Sequence, residues 1–287
     1  MPPKKQKMRL DTLLLEKQLF PSREQARSAI IQGAILVDKE KVTKPGTFVE
    51  INSEITVLFT SNPYVGRGGI KLEGALGYFE ISVLDKICLD IGTSTGGFTD
   101  CLLKRGAKKV YAVDVGYGQF NWGLRKDPRV ALFERTNVRY LMPEKLYKEG
   151  EPKAEICAID LSFISLSKVF KPILDLIEQN EQTHLLTLFK PQFEALKSEV
   201  GKKGIIKDKD VHRALLIGYI ENILNIGLHV RSVTYSPITG TAGNIEFWFD
   251  ITFNESDTGH VTEETIDHVV EEAHKRFSAK QKTQSGE

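Results

Sequence analysis

Two lysines and two acids occupy positions from which they could act together in acid–base chemistry. Asp160 directly follows the apolar run ICAI and Lys190 follows the run LLTLF, whereas Lys71 and Glu246 lie in the segments RGGIK and GNIEF. A lysine directly after an apolar strand is partly desolvated, and a second lysine nearby lowers its pKa further, toward use as a base. Each residue taken alone is explained more simply by a surface salt bridge. Only the joint placement of all four favours a reactive site.

A glycine-containing loop, DIGTSTGGFTD at 90–100, follows an apolar strand and leads into a helix. Glycines at this place let the backbone approach a ligand at the carboxyl edge of the first strand. Ser94 occupies the middle position of the dinucleotide pattern G-x-G-x-x-G, which disfavours hydride chemistry, and the Lys-Ser/Thr pair of a P-loop is missing from the segment. Asp114 ends the next strand, where its carboxylate can accept hydrogen bonds from a ribose diol. The pattern predicts a nucleoside-containing cofactor.

Alternating apolar strands and helices after residue 67 must position these groups. The strands are predicted at 87–91, 109–114, 130–134, 155–159, 184–189, 229–235 and 245–252, and the helices at 70–79, 97–105, 143–148, 166–178 and 211–226. This alternation predicts an α/β, doubly wound, mostly parallel, seven-stranded Rossmann-like sheet that is covered on both faces. The last two strands are expected to form an antiparallel pair at one edge.

The first 60 residues read as a small α+β module. Leucines at helical spacing predict a helix over 9–17, and Ser22 as N-cap begins a second helix that Gly33 ends. Short alternating runs at 35–37, 42, 49–51 and 55–59, with a turn at 38–40, predict a small β-sheet. The domain boundaries predicted in this way are 1–60 for the small module, 61–66 for a linker, 67–254 for the α/β domain and 255–287 for an acidic C-terminal helix.

Charge is distributed unevenly along the chain. The 39 Lys+Arg and 38 Asp+Glu give a net charge of +1, which at first argues against a nucleic-acid-binding protein. However, residues 255–287 hold 8 acids and 4 bases, whereas residues 1–33 carry a net charge of +4. Arg9, Arg23 and Arg27 are expected on the exposed faces of the two N-terminal helices. Solvated helix faces and an RNA-binding surface explain this charge equally well.

The remaining composition favours a cytoplasmic protein without a metal. No apolar run reaches the roughly 18–20 residues of a membrane-spanning helix, and the basic N-terminus is not followed by the apolar core of a signal peptide. Cys88, Cys101 and Cys157 lack the spacing of a zinc site or a disulfide framework.

Seven motifs occur together in the chain. They are RGGIKLE at 67–73, DIGTSTGGFTD at 90–100, VDVGYGQFNWGLRKDPRV at 113–130, ERTNVR at 134–139, DLSFISL at 160–166, FKPQFEA at 189–195 and GNIEFWF at 243–249. Together they resemble the hemolysin A family of TlyA-like rRNA 2′-O-methyltransferases, which have an FtsJ-like catalytic domain. The first 60 residues resemble the small α-L RNA-binding module of a ribosomal protein, tyrosyl-tRNA synthetase and some pseudouridine synthases. Only the tail beyond about residue 254 carries no such motif.

The resemblance implies S-adenosylmethionine as methyl donor and a ribose 2′-hydroxyl of ribosomal RNA, in a cytidine, as acceptor. The cofactor residues implied in this way are Asp90, Gly92, Ser94, Gly96, Gly97, Asp114, Asn137 and Val138. Lys71, Asp160, Lys190 and Glu246 match the Lys-Asp-Lys-Glu set of RNA ribose 2′-O-methyltransferases. Contacts to RNA phosphates are expected from Arg9, Arg23, Arg27, Lys202 and Lys203.

Other functions stay open from the sequence. The chain could be a non-catalytic rRNA-binding or ribosome-assembly factor that keeps the fold, although the complete set of four charged residues argues against this. A membrane-active hemolysin and a dehydrogenase are less favoured. The sequence makes no prediction of the oligomeric state.

Overall fold

The computed structural model describes residues 6–20, 23–31, 33–57, 62–162, 169–201, 204–257 and 260–285. Ser22, Lys202 and Lys203 lie outside these ranges, as do parts of the predicted strand at 55–59 and of the predicted helix at 166–178. The chain divides into two compact units, Met1–Arg67 and Gly68–Glu287.

The first unit packs two helices with two small sheets. Its elements are β1 (Lys7–Arg9), α1 (Leu10–Glu16), α2 (Arg23–Ile31), β2 (Ile35–Val37), β3 (Glu40–Lys41), β4 (Phe48–Glu50) and β5 (Ile55–Val57). Strand β1 pairs with β4, and β2 lies between β3 and β5. The leucines of α1 and the apolar side of α2 share one core, in which Leu10, Leu14 and Ile30 are fully buried.

Two local predictions for this unit were wrong. The turn covers only Asp38 and Lys39, which both have positive φ angles, of 50° and 68°. This backbone is typical of a two-residue hairpin turn, so Glu40 already belongs to β3 and pairs with Val37, whereas Val42 lies beyond the strand. Arg9 lies at the end of β1 and not on a helix face, because residues 7–9 pair with β4.

A seven-stranded sheet organises the second unit. Its strands are β6 (Ile87–Ile91), β7 (Lys109–Val113), β8 (Val130–Phe133), β9 (Ile156–Ile159), β10 (His184–Phe189), β11 (His229–Tyr235) and β12 (Phe247–Thr252). The order is β11-β12-β10-β9-β6-β7-β8, and the five strands from β10 to β8 are parallel neighbours. Strand β12 is antiparallel to both β10 and β11. The predicted doubly wound fold is confirmed, and β11 rather than β12 forms the outer edge.

Eight helices are described in this unit. They are α3 (Arg67–Tyr78), α4 (Gly97–Lys104), α5 (Trp122–Arg125), α6 (Pro143–Leu146), α7 (Phe170–Asp175), α8 (Pro191–Glu194), α9 (Lys209–Asn225) and α10 (Glu263–Ser285). The acidic tail helix α10 packs on the unit, since Val269 and Ala273 are buried in its core. Its acids pair with bases of α9, with Lys209 Nζ 2.6 Å from Glu271 Oε2. None of the helices in the described ranges combines the length and hydropathy that crossing a membrane requires.

Candidate active site

An ion pair joins the ends of two neighbouring strands. Strands β9 and β10 are parallel and adjacent, so the residues that follow them, Asp160 and Lys190, meet at one edge of the sheet. Lys190 Nζ lies 2.5 Å from Asp160 Oδ1 and donates a hydrogen bond of 2.8 Å to Ser162 Oγ. Burial raises the pKa of Asp160, but the charges of Lys190 and Lys71 outweigh it and hold this pKa below its usual value. Asp160 is therefore an ionised anchor for the lysine.

A second ion pair lies beside the first. Lys71 lies in the first turns of α3, and Glu246 lies just before β12. The distance from Lys71 Nζ to Glu246 Oε2 is 2.5 Å, and the two side chains are only 11% and 3% exposed. Gly240 leaves room for this acid, because a Cβ there would be 2.6 Å from Glu246 Oε1. Since the charge of Lys71 also acts on Asp160, the four side chains form one cluster of alternating charge. We call these four residues the charge cluster.

The glycine loop lies directly against the charge cluster. Gly92 has a φ of +85°, and a Cβ there would be 2.3 Å from the backbone oxygen of Asp160, so only glycine fits. Gly96 has a φ of +92° and directly precedes α4. A Cβ added at this position would lie less than 3 Å from the side chains of Leu124 and Phe120. Gly97 is the buried first residue of α4. Glycine is thus required at 92 by the end of β9 and at 96 by the side chains packed against it, before any ligand is considered.

The carboxylate of Asp114 connects the loops that follow β6 and β7. Its Oδ2 accepts the backbone N–H of Ser94 and its Oδ1 accepts that of Gly116, both at 2.6 Å. Each carboxylate oxygen has a further lone pair, so the group can still accept hydrogen bonds from a ribose diol. Ser94 itself has a φ of 50° and contributes its backbone.

Asp90 is fully buried and only partly satisfied. Its Oδ2 accepts hydrogen bonds from the backbone N–H of Thr99 at 2.9 Å and from the Thr99 hydroxyl at 2.6 Å. Among the described residues, no hydrogen-bond donor reaches Oδ1. Burial raises the pKa of this carboxyl to about 7, against the hydrogen bonds from Thr99 and Thr93 that lower it. An unsatisfied buried oxygen behind the glycine loop suits a ligand with an amino group.

The two expected adenine contacts differ in accessibility. Asn137 is exposed, and its Oδ1 accepts the backbone N–H of Arg139, which begins a 3₁₀ turn at Val138–Tyr140. The side chain of Val138 is buried in the hydrophobic core, so Asn137 is the more available of the two.

Sequence reasoning missed two residues at this edge. Ser162 holds Lys190, and its position two residues after Asp160 was the available signal. Val115 directly follows Asp114, and its side chain is 68% exposed at the end of β7.

In the first unit, two of the predicted RNA-binding arginines share one buried acid. Arg9 Nη2 and Arg23 Nη2 each lie 3.0 Å from Asp11 Oδ2, and Asp11 is fully buried. The hydrogen bond from Arg9 is the main reason that the pKa of Asp11 falls to about 2. Arg27 is exposed on α2. Asp11 therefore holds the guanidinium groups of Arg9 and Arg23 in place.

Comparisons with known proteins agree with this geometry. A model of the FtsJ-like methyltransferase family matches residues 64–253, and a model of the S4 domain matches residues 8–55. YqxC of Bacillus subtilis, whose name assigns it to the rRNA methyltransferases, is 45% identical over 96% of this chain and 96% of its own length. The 16S/23S rRNA (cytidine-2′-O)-methyltransferase TlyA of Mycobacterium tuberculosis is 39% identical over 84% of this chain and 88% of its own.

A solved structure extends the similarity to the whole fold. A protein of Streptococcus thermophilus that carries the name hemolysin matches with a TM-score of 0.75 and 37% identity, over 97% of this chain and all of its own length. The resemblance indicated by the sequence motifs is confirmed. The chain belongs to the FtsJ-like methyltransferase family, with an S4 domain ahead of the catalytic domain.

Proposed function

We propose that this protein transfers the methyl group of S-adenosylmethionine to a ribose 2′-hydroxyl of ribosomal RNA, with a cytidine as the target nucleotide. The observation that carries the proposal is the pairing of Lys190 with Asp160 at 2.5 Å beside the equally close pair of Lys71 and Glu246. The name of the mycobacterial relative, an rRNA cytidine-2′-O-methyltransferase, supports the choice of substrate. A ribosomal substrate in turn favours a cytoplasmic location.

The charge cluster acts on the ribose hydroxyl. The bound cofactor supplies a methyl group already activated on a sulfonium sulfur, so alignment of the acceptor provides most of the acceleration. Lys190 takes the proton of the 2′-hydroxyl or stabilises the negative charge that develops on its oxygen. Lys190 Nζ lies 2.5 Å from Asp160 Oδ1, a pairing that suits the second role, and in that role the hydroxyl proton leaves to solvent. Asp160 and Lys71 position Lys190, and Glu246 fixes Lys71 in turn.

The glycine loop and two acids hold the cofactor. Asp114 would accept hydrogen bonds from the ribose diol, and the backbone around Ser94 and Gly96 would hold the methionine part. Oδ1 of Asp90, which lacks a donor among the described residues, would accept from the amino group of the cofactor or from the loop. Asn137 and Val115, both exposed, would lie beside the adenine.

The S4 domain binds the RNA. Arg9 and Arg23, held by Asp11, and the exposed Arg27 meet phosphates, since guanidinium groups match phosphate geometry with two parallel hydrogen bonds. Lys202 and Lys203 are proposed to add phosphate contacts from the catalytic domain.

The decisive experiment is methyl transfer to separate ribosomal subunits. Unmodified small and large subunits are incubated with the full chain and S-adenosylmethionine, and 2′-O-methyl positions are mapped by primer extension at limiting nucleotide concentration. We expect methylation at a cytidine, and a loss of about 10²–10⁴-fold in rate for Lys190→Ala with unchanged cofactor affinity.

Lys275→Ala serves as the matched control, because Lys275 is 78% exposed on α10. If the wild-type chain binds cofactor and subunits but transfers no methyl group, the protein is a non-catalytic binding factor. If Lys190→Ala transfers at the wild-type rate, the role given to Lys190 is wrong.

A further inference from the structure

Three exposed aromatic rings of the second unit each lie beneath a cation. The pairs are Arg135 over Tyr117 at 4.1 Å, Lys126 over Trp122 at 4.7 Å and Arg139 over Tyr140 at 5.6 Å from cation to ring centroid. The three rings are between 64% and 71% exposed. We call these six residues the cation–aromatic surface.

The six residues come from one edge of the sheet. Tyr117 and Trp122 follow β7, and Tyr140 follows β8, which is its parallel neighbour. The connecting segments are tied together, since the backbone N–H of Arg135 donates to the carbonyl of Gly116 at 3.0 Å. Asp114 stands at the start of the first segment. The cation–aromatic surface therefore adjoins the proposed cofactor site.

The charges of this surface are available to an anionic ligand. Arg125 and Arg129, in the same stretch of chain, pair with Glu134 at 2.9 Å and with Asp127 at 2.8 Å. In contrast, none of the three cations that cover rings forms an ion pair with a described residue, although the charge of Arg135 does act on Glu134. A cation over a ring keeps its charge and gains a fixed position, because the ring face attracts it.

We propose that the cation–aromatic surface binds single-stranded RNA, with bases stacked on Tyr117, Trp122 and Tyr140 and phosphates at the neighbouring cations. The inference rests on the proposed function, since it assigns to this surface the nucleotides that flank the methylated ribose. Every base has an aromatic face, so exposed rings beside cations bind unpaired RNA of varied sequence. In a duplex the bases are stacked on one another, so no base face is free to stack on these rings.

Binding of short RNA by the full chain tests this inference. The probe is a labelled single-stranded RNA of mixed sequence and about 12 nucleotides, and the comparison probe is a duplex of the same length. We expect Tyr117→Ala, Trp122→Ala and Tyr140→Ala each to weaken single-strand binding about 5-fold or more and to leave duplex binding unchanged. Tyr117→Phe, Trp122→Phe and Tyr140→Phe each keep an aromatic ring at the position and should bind the single strand nearly as the wild type does.

Tyr78→Ala is the matched control. Tyr78 is 58% exposed but lies on α3, edge-on to Phe79. This variant should bind both probes as the wild type does. Cofactor affinity, measured by thermal shift with S-adenosylmethionine, should stay unchanged in all variants.

Two results would overturn the inference. One is an unchanged single-strand affinity in the triple variant Tyr117→Ala/Trp122→Ala/Tyr140→Ala. The other is a parallel loss of cofactor affinity, which would place the rings in the cofactor pocket. Because oligonucleotide binding requires no turnover, a wild-type chain that needs the rings for binding but methylates no rRNA would reject the proposed function and keep this inference.

Discussion

Lys71 and Glu246 form an ion pair of 2.5 Å between Nζ and Oε2 that is almost completely removed from water. Taking two charges out of water is costly, and their mutual attraction offsets that cost only while both are present. The pair also sets the position from which Lys71 acts on Asp160. One pair of residues thus couples the stability of the domain to the geometry of its charge cluster.

Removal of one member of this pair should destabilise the protein strongly. Glu246→Gln strands the buried charge of Lys71, and we expect the free energy of unfolding to fall by about 3–5 kcal/mol in urea denaturation. The double variant Lys71→Met/Glu246→Leu should lose less than Glu246→Gln alone. As a control, Glu272→Gln removes an exposed pair with Lys275 and should cost about 0–1 kcal/mol. A double variant less stable than Glu246→Gln would contradict the argument.

An alanine at Gly92 should damage the cofactor loop. Its Cβ would lie 2.3 Å from the backbone oxygen of Asp160, so the loop and the end of β9 must separate. We expect loss of cofactor affinity in isothermal titration together with lower stability. Gly150→Ala is the control, since Gly150 has a similar φ of +79° but no atom within 4 Å of an added Cβ, and it should cost only about 1–2 kcal/mol. Equal effects of the two substitutions would show that backbone strain alone matters.

The buried carboxyl of Asp90 should make stability depend on pH. Because burial raises its pKa to about 7 from an ordinary 3.8, the folded chain binds more protons than the unfolded chain between those values. The contribution of this group to the free energy of unfolding therefore falls as pH rises toward 7 and is constant above it. Urea denaturation of the wild type and of Asp90→Asn at several pH values from about 5 to 8 measures this. A difference between the two proteins that does not change with pH would show that the pKa of Asp90 is the same in both states.

Alanine substitutions of Arg23 and of Arg27 should both affect RNA binding but should differ in their effect on stability. Arg27→Ala should weaken rRNA binding and reduce its salt dependence while leaving stability within about 0.5 kcal/mol of the wild type. Arg23→Ala should weaken binding and also cost about 1–2 kcal/mol of stability, because the fully buried Asp11 loses one of two charged donors. Filter binding at several salt concentrations and urea denaturation separate the two effects. If Arg27→Ala leaves the salt dependence unchanged, the N-terminal unit does not dock the RNA.

Local patterns in the sequence were sufficient to predict the main architecture of the second unit. The strand from Ile87 to Ile91 is buried at every position, which is why all its residues except Asp90 are apolar and the sequence predicts it. By contrast, α5 and α8 have only four residues each and neither was predicted, although α6, of the same length, lies within the helix predicted at 143–148. Strand β1 was missed for a similar reason, since three residues with partial burial carry little signal.

The sequence by itself determined which residues carry charge, where the seven strands of the large sheet lie to within one or two residues, and which motifs accompany one another. It could not determine which side chains pair with one another or how far each is buried. The pairing of Lys71 with Glu246, the sharing of Asp11 by two arginines and the exposure of Trp122 all depend on elements distant in the chain. Only the tertiary structure decided these relationships, because the order and register of the strands bring the side chains to a common edge and set the burial that gives each charge its effect.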